Sequence, residues 1–196
     1  RTGLDKIVLL VSQLIYRRNR RAEQTSAEVF EEFETWADDV WNEGSESFDL
    51  VAVRNREFMN CLYPAQDKRF IRLKVSSGQR PVGWAVMLLT DMQRHRQFGD
   101  MRVGTIVDCF SIPGSEHAVA CAARDYLVAH GAHLIVSNQS SDTWCKALEY
   151  AGMITGPTNF FLALSPQLVK DLGIAKDSGI SRFHFNRGDG DGPVNL

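Results

Sequence analysis

No CxxC pair occurs among the four cysteines of this 196-residue chain, Cys61, Cys109, Cys121 and Cys145. Their scatter argues against a zinc knuckle and against a small disulfide framework, so we expect reduced thiols and no metal site. No apolar run reaches the roughly 20 residues that a membrane-spanning helix needs. The longest run, IVLLVSQLIY, is only about half that length. These absences favour a cytoplasmic protein.

A strong charge bias is also missing, because 22 basic residues stand against 24 acidic ones and the formal net charge is -2. Hydrophobic residues make up 44% of the chain and charged residues 23%, which is typical of a soluble globular domain. The single basic cluster, RRNRR at 17–21, has no interleaved aromatic residues on which bases could stack. We therefore expect no nucleic-acid partner.

Residues 4–21 carry apolar side chains at helical spacing and end in this basic cluster. The pattern predicts a basic amphipathic helix. Such a helix could contact either a membrane surface or the rest of the same chain. We divide the chain into a helical arm or linker (1–25), a main domain (26–172) and a C-terminal strand and tail that pack on that domain (173–196). Because the chain opens on Arg1, with no methionine and no secretion signal, we expect a segment of a longer protein.

In the main domain the sequence predicts helices first, then a hairpin, then strands that alternate with helices. The predicted elements are helices over 28–42 and 55–63, hairpin strands over 69–75 and 82–89, a strand over 104–112, a helix over 115–131, a strand over 133–138, a helix over 141–152 and a strand over 159–165. This order predicts an α/β fold with a mixed sheet, in which the hairpin half is antiparallel. A right-handed crossover should make the strands over 104–112 and 133–138 parallel neighbours.

Three segments carry a family resemblance. They are GQRPVGWAVML (78–88), in which a loop leads to a Val-Gly pair and an apolar strand; VDCFSIP (107–113), which precedes a helix; and SNQSSDTWCKALEYAGM (137–153), with Asn138 at a strand end and Gly152-Met153 at a helix end. In order and spacing they resemble the GNAT family, the acyl-CoA-dependent N-acetyltransferases, over roughly residues 28–166. The resemblance implies a parallel strand pair splayed by a V-shaped cleft, with helices on both faces of the sheet.

A longer pattern, FETWADDVW followed by AVRNREFMNCLYP, resembles GNAT-like domains of larger bacterial proteins linked to cell-surface polysaccharide or peptidoglycan-type assembly. The activity implied is transfer of an acyl group from acetyl-CoA, or another acyl-CoA, to a small-molecule amine such as an amino sugar or a cell-envelope precursor. The alternative is a catalytically inactive GNAT-like domain that serves binding or scaffolding within a larger protein.

In this family the coenzyme A pyrophosphate binds backbone N–H groups at the start of the helix after the central strand, where a helix carries unpaired donors and partial positive charge. The matching turn here, 113–117, has one glycine where the family usually has two. Ser115 as a predicted N-cap and Glu116 in the first turn suggest a self-capped corner as the alternative to a phosphate site. The resemblance assigns coenzyme A contacts to Phe110, Ser111, Ile112, Gly114, Ser115, Glu116, His117 and Asn138.

The pantetheine arm is implied to lie like an added strand between the edges CFSIP (109–113) and IVSNQ (135–139). If side chains such as Phe110 or Trp144 fill this cleft, the coenzyme loses its site.

A general base is implied as well, and Asp108 is the candidate. Strand alternation would place it on one face with Ile106 and Phe110, where burial raises the pKa of a carboxyl. An aspartate bonded to loop N–H groups is the alternative. The family's general acid is commonly a Tyr four residues before the helix-ending glycine, but Leu148 holds that position, which leaves Tyr150 as the candidate acid.

Two further patterns rank lower. His117 and Cys121 lie four apart on one helix, but a nucleophilic pair needs an orienting third group, so ordinary packing is favoured. The C-terminal RGDGDGPVNL (187–196) lacks the third oxygen ligand and the closing Glu of a calcium loop. We interpret it as a turn-rich tail that docks on the sheet edge.

Overall fold

The computed structural model of the chain describes residues 25–96, 99–156, 164–171, 173 and 182–190. The predicted helix over 4–21 and most of the predicted strand over 159–165 lie outside this part of the chain. The strands are β1 (Thr25–Val29), β2 (Leu50–Val51), β3 (Ile71–Ser77), β4 (Arg80–His95), β5 (Gly99–Ser111), β6 (Leu134–Ser137) and β7 (Phe183–His184). The helices are α1 (Thr35–Ser45), α2 (Arg56–Leu62), α3 (Glu116–Ala129), α4 (Asp142–Tyr150) and α5 (Pro166–Asp171), and a short 3-10 helix spans Arg187–Asp189.

The main sheet has five strands in the order β1-β3-β4-β5-β6. Strands β1, β3, β4 and β5 pair antiparallel, whereas β5 and β6 pair parallel. The predicted mixed sheet, with its antiparallel hairpin and its parallel pair joined by a helical crossover, is therefore confirmed. None of the helices within the described ranges is both long and apolar enough to cross a membrane.

The N-terminal edge of the sheet departs from the prediction. Residues Thr25–Val29 form a strand on β3, so the helix predicted over 28–42 begins only at Thr35. All five residues of β1 are exposed, and such an edge strand shows no apolar alternation in the sequence. Phe30 and Phe33 lie in the connecting loop with their ring centroids 4.9 Å apart, so they form an aromatic cluster without sharing a helix face.

One extra residue in β5 shifts its register against β4. Met87 lies opposite Ile106, and its neighbour Val86 lies opposite Asp108, so Val107 is the extra residue between the two pairs. Because directly opposite residues project to the same face, Asp108 shares a face with Phe110 and not with Ile106. The prediction that all three share one face is wrong, because a β-bulge inverts the alternation of side chains.

Helices cover both faces of the sheet. On the face of Asp108, the Phe110 ring lies 5.3 Å from that of Trp41 in α1. On the other face, α3 approaches so closely that a Cβ on Gly83 would touch Val119. The bulge therefore decides which helix layer each side chain at the end of β5 meets.

Candidate functional site

The parallel strands β5 and β6 stop pairing well before β5 ends. Their last pair is Ile106–Ser137, although β5 continues to Ser111. Beyond β6 the chain pairs instead with residues near the C-terminus, through a bridge between Gln139 and Asn186. Residues Arg182–Gly190, which we call the C-terminal segment, therefore enter the predicted V-shaped cleft.

Two side chains of the C-terminal segment bind the main chain of β5. The carbonyl oxygen of Cys109 accepts hydrogen bonds from His184 Nε2 at 2.9 Å and from Asn186 Nδ2 at 3.3 Å. On the β6 side, the Phe185 N–H donates to Ser140 Oγ at 2.7 Å, and the Ser140 N–H donates to the Phe185 carbonyl at 3.1 Å. His184 and Asn186 are fully buried, so the segment is part of the interior.

The His184 ring occupies an aromatic slot in this cleft. It stacks between Phe48 and Trp144, with centroid distances of 5.0 Å and 5.7 Å, and lies 5.8 Å from Phe110. Burial, aided by the charge of Arg54, lowers the pKa of His184 to about 3, so the imidazole is neutral at neutral pH. Phe110 and Trp144 thus line a filled cleft, and His184 is the filling side chain that the sequence analysis missed.

A buried ion cluster fixes the other end of the C-terminal segment. Arg54 Nε donates to Asp108 Oδ1 at 3.2 Å, and Arg54 Nη2 forms an ion pair with Asp189. The Tyr63 hydroxyl donates to Asp108 Oδ2 at 3.4 Å. Arg54 and Asp108 are 1% and 0% exposed, so one cation holds two carboxylates out of water. Asp108 thus accepts hydrogen bonds from the side chains of Arg54 and Tyr63, and not from the loop N–H groups of the predicted alternative.

The cluster shifts the pKa values of its members. Burial raises the pKa of Asp108 to about 6, although the Arg54 guanidinium opposes this shift. Burial and the Asp108 charge hold the pKa of Tyr63 well above its usual range. Burial acts against the charge of Arg54, but the two carboxylates keep its pKa above the ordinary value. Asp108 has the raised pKa expected of a general base, but such a role requires its enclosure to open.

Gly188 is buried where a Cβ would overlap the Tyr63 hydroxyl. We expect Gly188→Ala to destabilise the domain by about 1–3 kcal/mol, because a close-packed site has no room for a methyl group. The alanine should be less destabilising in a Tyr63→Phe background, and urea unfolding of the four proteins of this cycle measures the difference. Gly156→Ala, with nothing near its Cβ, is the matched control. An equal effect of the alanine in both backgrounds would contradict the proposed contact.

At the start of α3, Glu116 lies in the first turn as predicted, but Ser115 does not cap the helix. Ser115 occupies the N-cap position, but its ψ of 3° departs from the extended backbone of a capping residue, and its side chain makes no capping hydrogen bond. The predicted Ser115 cap is therefore wrong, and the first-turn N–H groups receive no acceptor from it. Gly114 has a φ of +85°, a left-handed conformation that favours glycine, and open space surrounds the position of its missing Cβ.

The other residues assigned to coenzyme A differ in how deeply they are buried. Phe110, Ser111 and Ile112 are buried, Glu116 and His117 are half-buried at the helix start, and Asn138 is half-buried just beyond β6. Phe110 faces α1 and His184 rather than an open cleft. Ser111 Oγ is buried and finds no hydrogen-bond partner within the part of the chain that the structure describes. The phosphate end of the predicted site is accessible, whereas its inner end is not.

Tyr150 lies away from Asp108. Its ring contacts that of His117 at a centroid distance of 5.7 Å, and both line a cleft of about 290 Å³ between α3 and β1. This cleft lies on the α3 face of the sheet, whereas Asp108 lies on the α1 face. The structure therefore does not bring the two predicted catalytic residues together.

No protein-family model matches the sequence, and no curated protein matches it. Among solved structures, the aminoglycoside N-acetyltransferase AAC(6')-Iy in complex with a bisubstrate CoA analogue aligns with a TM-score of 0.50 at 10% identity, over 73% of this chain and 99% of that chain. An acetyltransferase from Trypanosoma brucei aligns with a TM-score of 0.49 at 15% identity, over 72% and 100% of the two chains. Glucosamine-6-phosphate N-acetyltransferase from Arabidopsis thaliana aligns with a TM-score of 0.46 at 11% identity, over 73% and 100%.

At such identities the likeness concerns the fold alone. It agrees with what the geometry provides independently, namely an antiparallel sheet half, a bulged central strand and a parallel neighbour reached through a helical crossover. The chain therefore has a GNAT-like fold.

Proposed function

We propose that this domain transfers an acyl group from an acyl-CoA to an amine. The observation that carries the proposal is the uncapped turn at Gly114 and Ser115, which follows directly on the bulged strand β5 of a GNAT-like sheet. The transfer breaks the thioester C–S bond and forms an amide C–N bond, while the amine proton leaves with the released thiol. The N–H groups at the start of α3 are the proposed pyrophosphate donors.

The residues present fit one end of an acyl-CoA and not the other. At the phosphate end, the lack of a Ser115 cap and the open space at Gly114 suit an anion, whereas the Glu116 carboxylate in the first turn opposes one. At the pantetheine end, the Cys109 carbonyl is already bonded by His184 and Asn186. We therefore derive no catalytic step along β5 while the C-terminal segment occupies the cleft.

The acceptor class we infer is an amino sugar. AAC(6')-Iy, whose fold aligns with this chain, is an aminoglycoside N-acetyltransferase and is seen with a CoA analogue carrying an acetylneamine group. Acetyl-CoA with glucosamine is accordingly the first pair to test, with release of free thiol as the readout.

Removal of one charge tests the phosphate end. We expect Glu116→Gln to tighten binding of coenzyme A roughly two- to fivefold, because Glu116 places a negative charge in the first turn of α3, where the pyrophosphate would lie. Calorimetric titration with coenzyme A and acetyl-CoA measures the change. Glu57→Gln, in the first turn of α2, is the matched control and should leave binding unchanged. Equal binding by the Glu116 variant and the wild type would argue against a pyrophosphate at α3.

A second candidate function is binding or scaffolding by a catalytically inactive domain. It is favoured by the filled cleft and by the placement of Asp108 and Tyr150 on opposite faces of the sheet. This function predicts no binding of coenzyme A up to millimolar concentration, which the same titration measures.

A further inference from the structure

We propose that the C-terminal segment is a built-in competitor of acyl-CoA, so that the pantetheine arm binds along β5 only when His184 and Asn186 leave the Cys109 carbonyl. This inference rests on the proposed acyl-CoA function and concerns how its site is controlled.

The competition is for a single backbone acceptor. A carbonyl oxygen has two lone pairs, and that of Cys109 already accepts from His184 Nε2 and Asn186 Nδ2. The edge of β5 beyond Ile106 is the kind of unpaired strand edge to which an extended amide chain adds. Asn186 therefore presents to β5 the same donor, an amide N–H, that pantetheine carries. The two cannot bind the oxygen at the same time.

The segment is held at a buried end by Asp189, at a peripheral end by Ser140, and between the segment and β2 by strand pairing of β7 beside an exposed ion pair of Arg182 with Asp49. At the buried end, Asp189 pairs with Arg54, which also pairs with Asp108. If Asp189 leaves, Arg54 keeps Asp108 as its partner. Withdrawal of the segment therefore leaves no unpaired cation in the interior. At the peripheral end, Phe185 bonds to Ser140 through both its N–H and its carbonyl. Ser140 is half-buried, and its bonds to Phe185 involve no member of the ion cluster.

Ser140→Ala therefore loosens the segment without altering His184, Asn186 or the Cys109 acceptor. We expect this variant to bind coenzyme A roughly fivefold more tightly than the wild type, because the lost side-chain hydrogen bonds no longer oppose withdrawal. Ser77→Ala, on the exposed end of β3, removes a hydroxyl group far from the cleft and is the matched control. Calorimetry with coenzyme A and with acetyl-CoA gives the affinities, and urea unfolding verifies that each variant is folded.

Amide hydrogen exchange on the unmodified chain provides a second readout. The Phe185 N–H, bonded to Ser140 Oγ, should exchange faster when coenzyme A is bound. Tighter binding by Ser140→Ala together with this loss of protection supports the competition. Equal affinities with unchanged protection overturn it and leave the acyl-CoA function intact. Absence of binding to every folded variant overturns the acyl-CoA function and the competition with it.

Discussion

Arg54→Met is expected to destabilise the domain by about 3–5 kcal/mol, a large part of the total stability of an ordinary domain. The substitution leaves Asp108 and Asp189 in the interior without their shared cation. A methionine fills much of the same volume, so lost packing contributes little to the effect. Urea unfolding followed by circular dichroism measures the change.

Two comparisons separate the charge effect from a general loss of packing. Adding Asp108→Asn and Asp189→Asn to Arg54→Met removes both stranded charges, so the triple variant should recover much of the lost stability. Arg80→Met breaks an exposed ion pair with Glu43 and should change stability by less than about 1 kcal/mol. A triple variant as unstable as Arg54→Met alone would show that the two charges are not the cause.

Two titrations in the same interior should oppose each other between pH 7 and pH 5. The unfolded chain protonates His184 near its ordinary value of 6.5, whereas the folded chain does so only at about 3, so this residue lowers stability as the pH falls. The folded chain protonates Asp108 at about 6, whereas the unfolded chain does so near 3.8, so this residue raises stability over the same range. The wild type should therefore change little.

Single substitutions should reveal the two slopes. From pH 7 to pH 5, Asp108→Asn should lose about 2 kcal/mol through His184, whereas His184→Gln should gain about 1 kcal/mol through Asp108. The free energy of unfolding in urea at the two pH values measures both changes. His130→Gln, which replaces an exposed histidine, is the matched control. Parallel pH profiles for all four proteins would contradict the placement of both groups.

The fold was predictable where its signals are local. The hairpin of β3 and β4 follows from alternation around a glycine-containing turn, and the parallel pair follows from a helix between two apolar runs. Strand β1 was not predictable in this way, because all its residues are exposed and its register comes from β3. The predicted Ser115 cap failed for a related reason, since the backbone at that residue is set by the turn before α3.

In the candidate site, too, the local features were predictable and the long-range contacts were not. Residue spacing predicts an α/β sheet with a central strand carrying Asp108 and a glycine turn leading into α3, because spacing reports which segments can form strands and helices. The contacts of Arg54 with Asp108 and Asp189, which lie 54 and 135 residues away along the chain, become visible in the folded chain alone. Such contacts are chosen by packing and by the need to pair buried charges, and neither leaves a local periodic signal. The position of His184 in the cleft also depends on distant residues, because its ring stacks on Phe48 and bonds to the Cys109 carbonyl. The sequence around His184 carries no pattern that predicts these contacts.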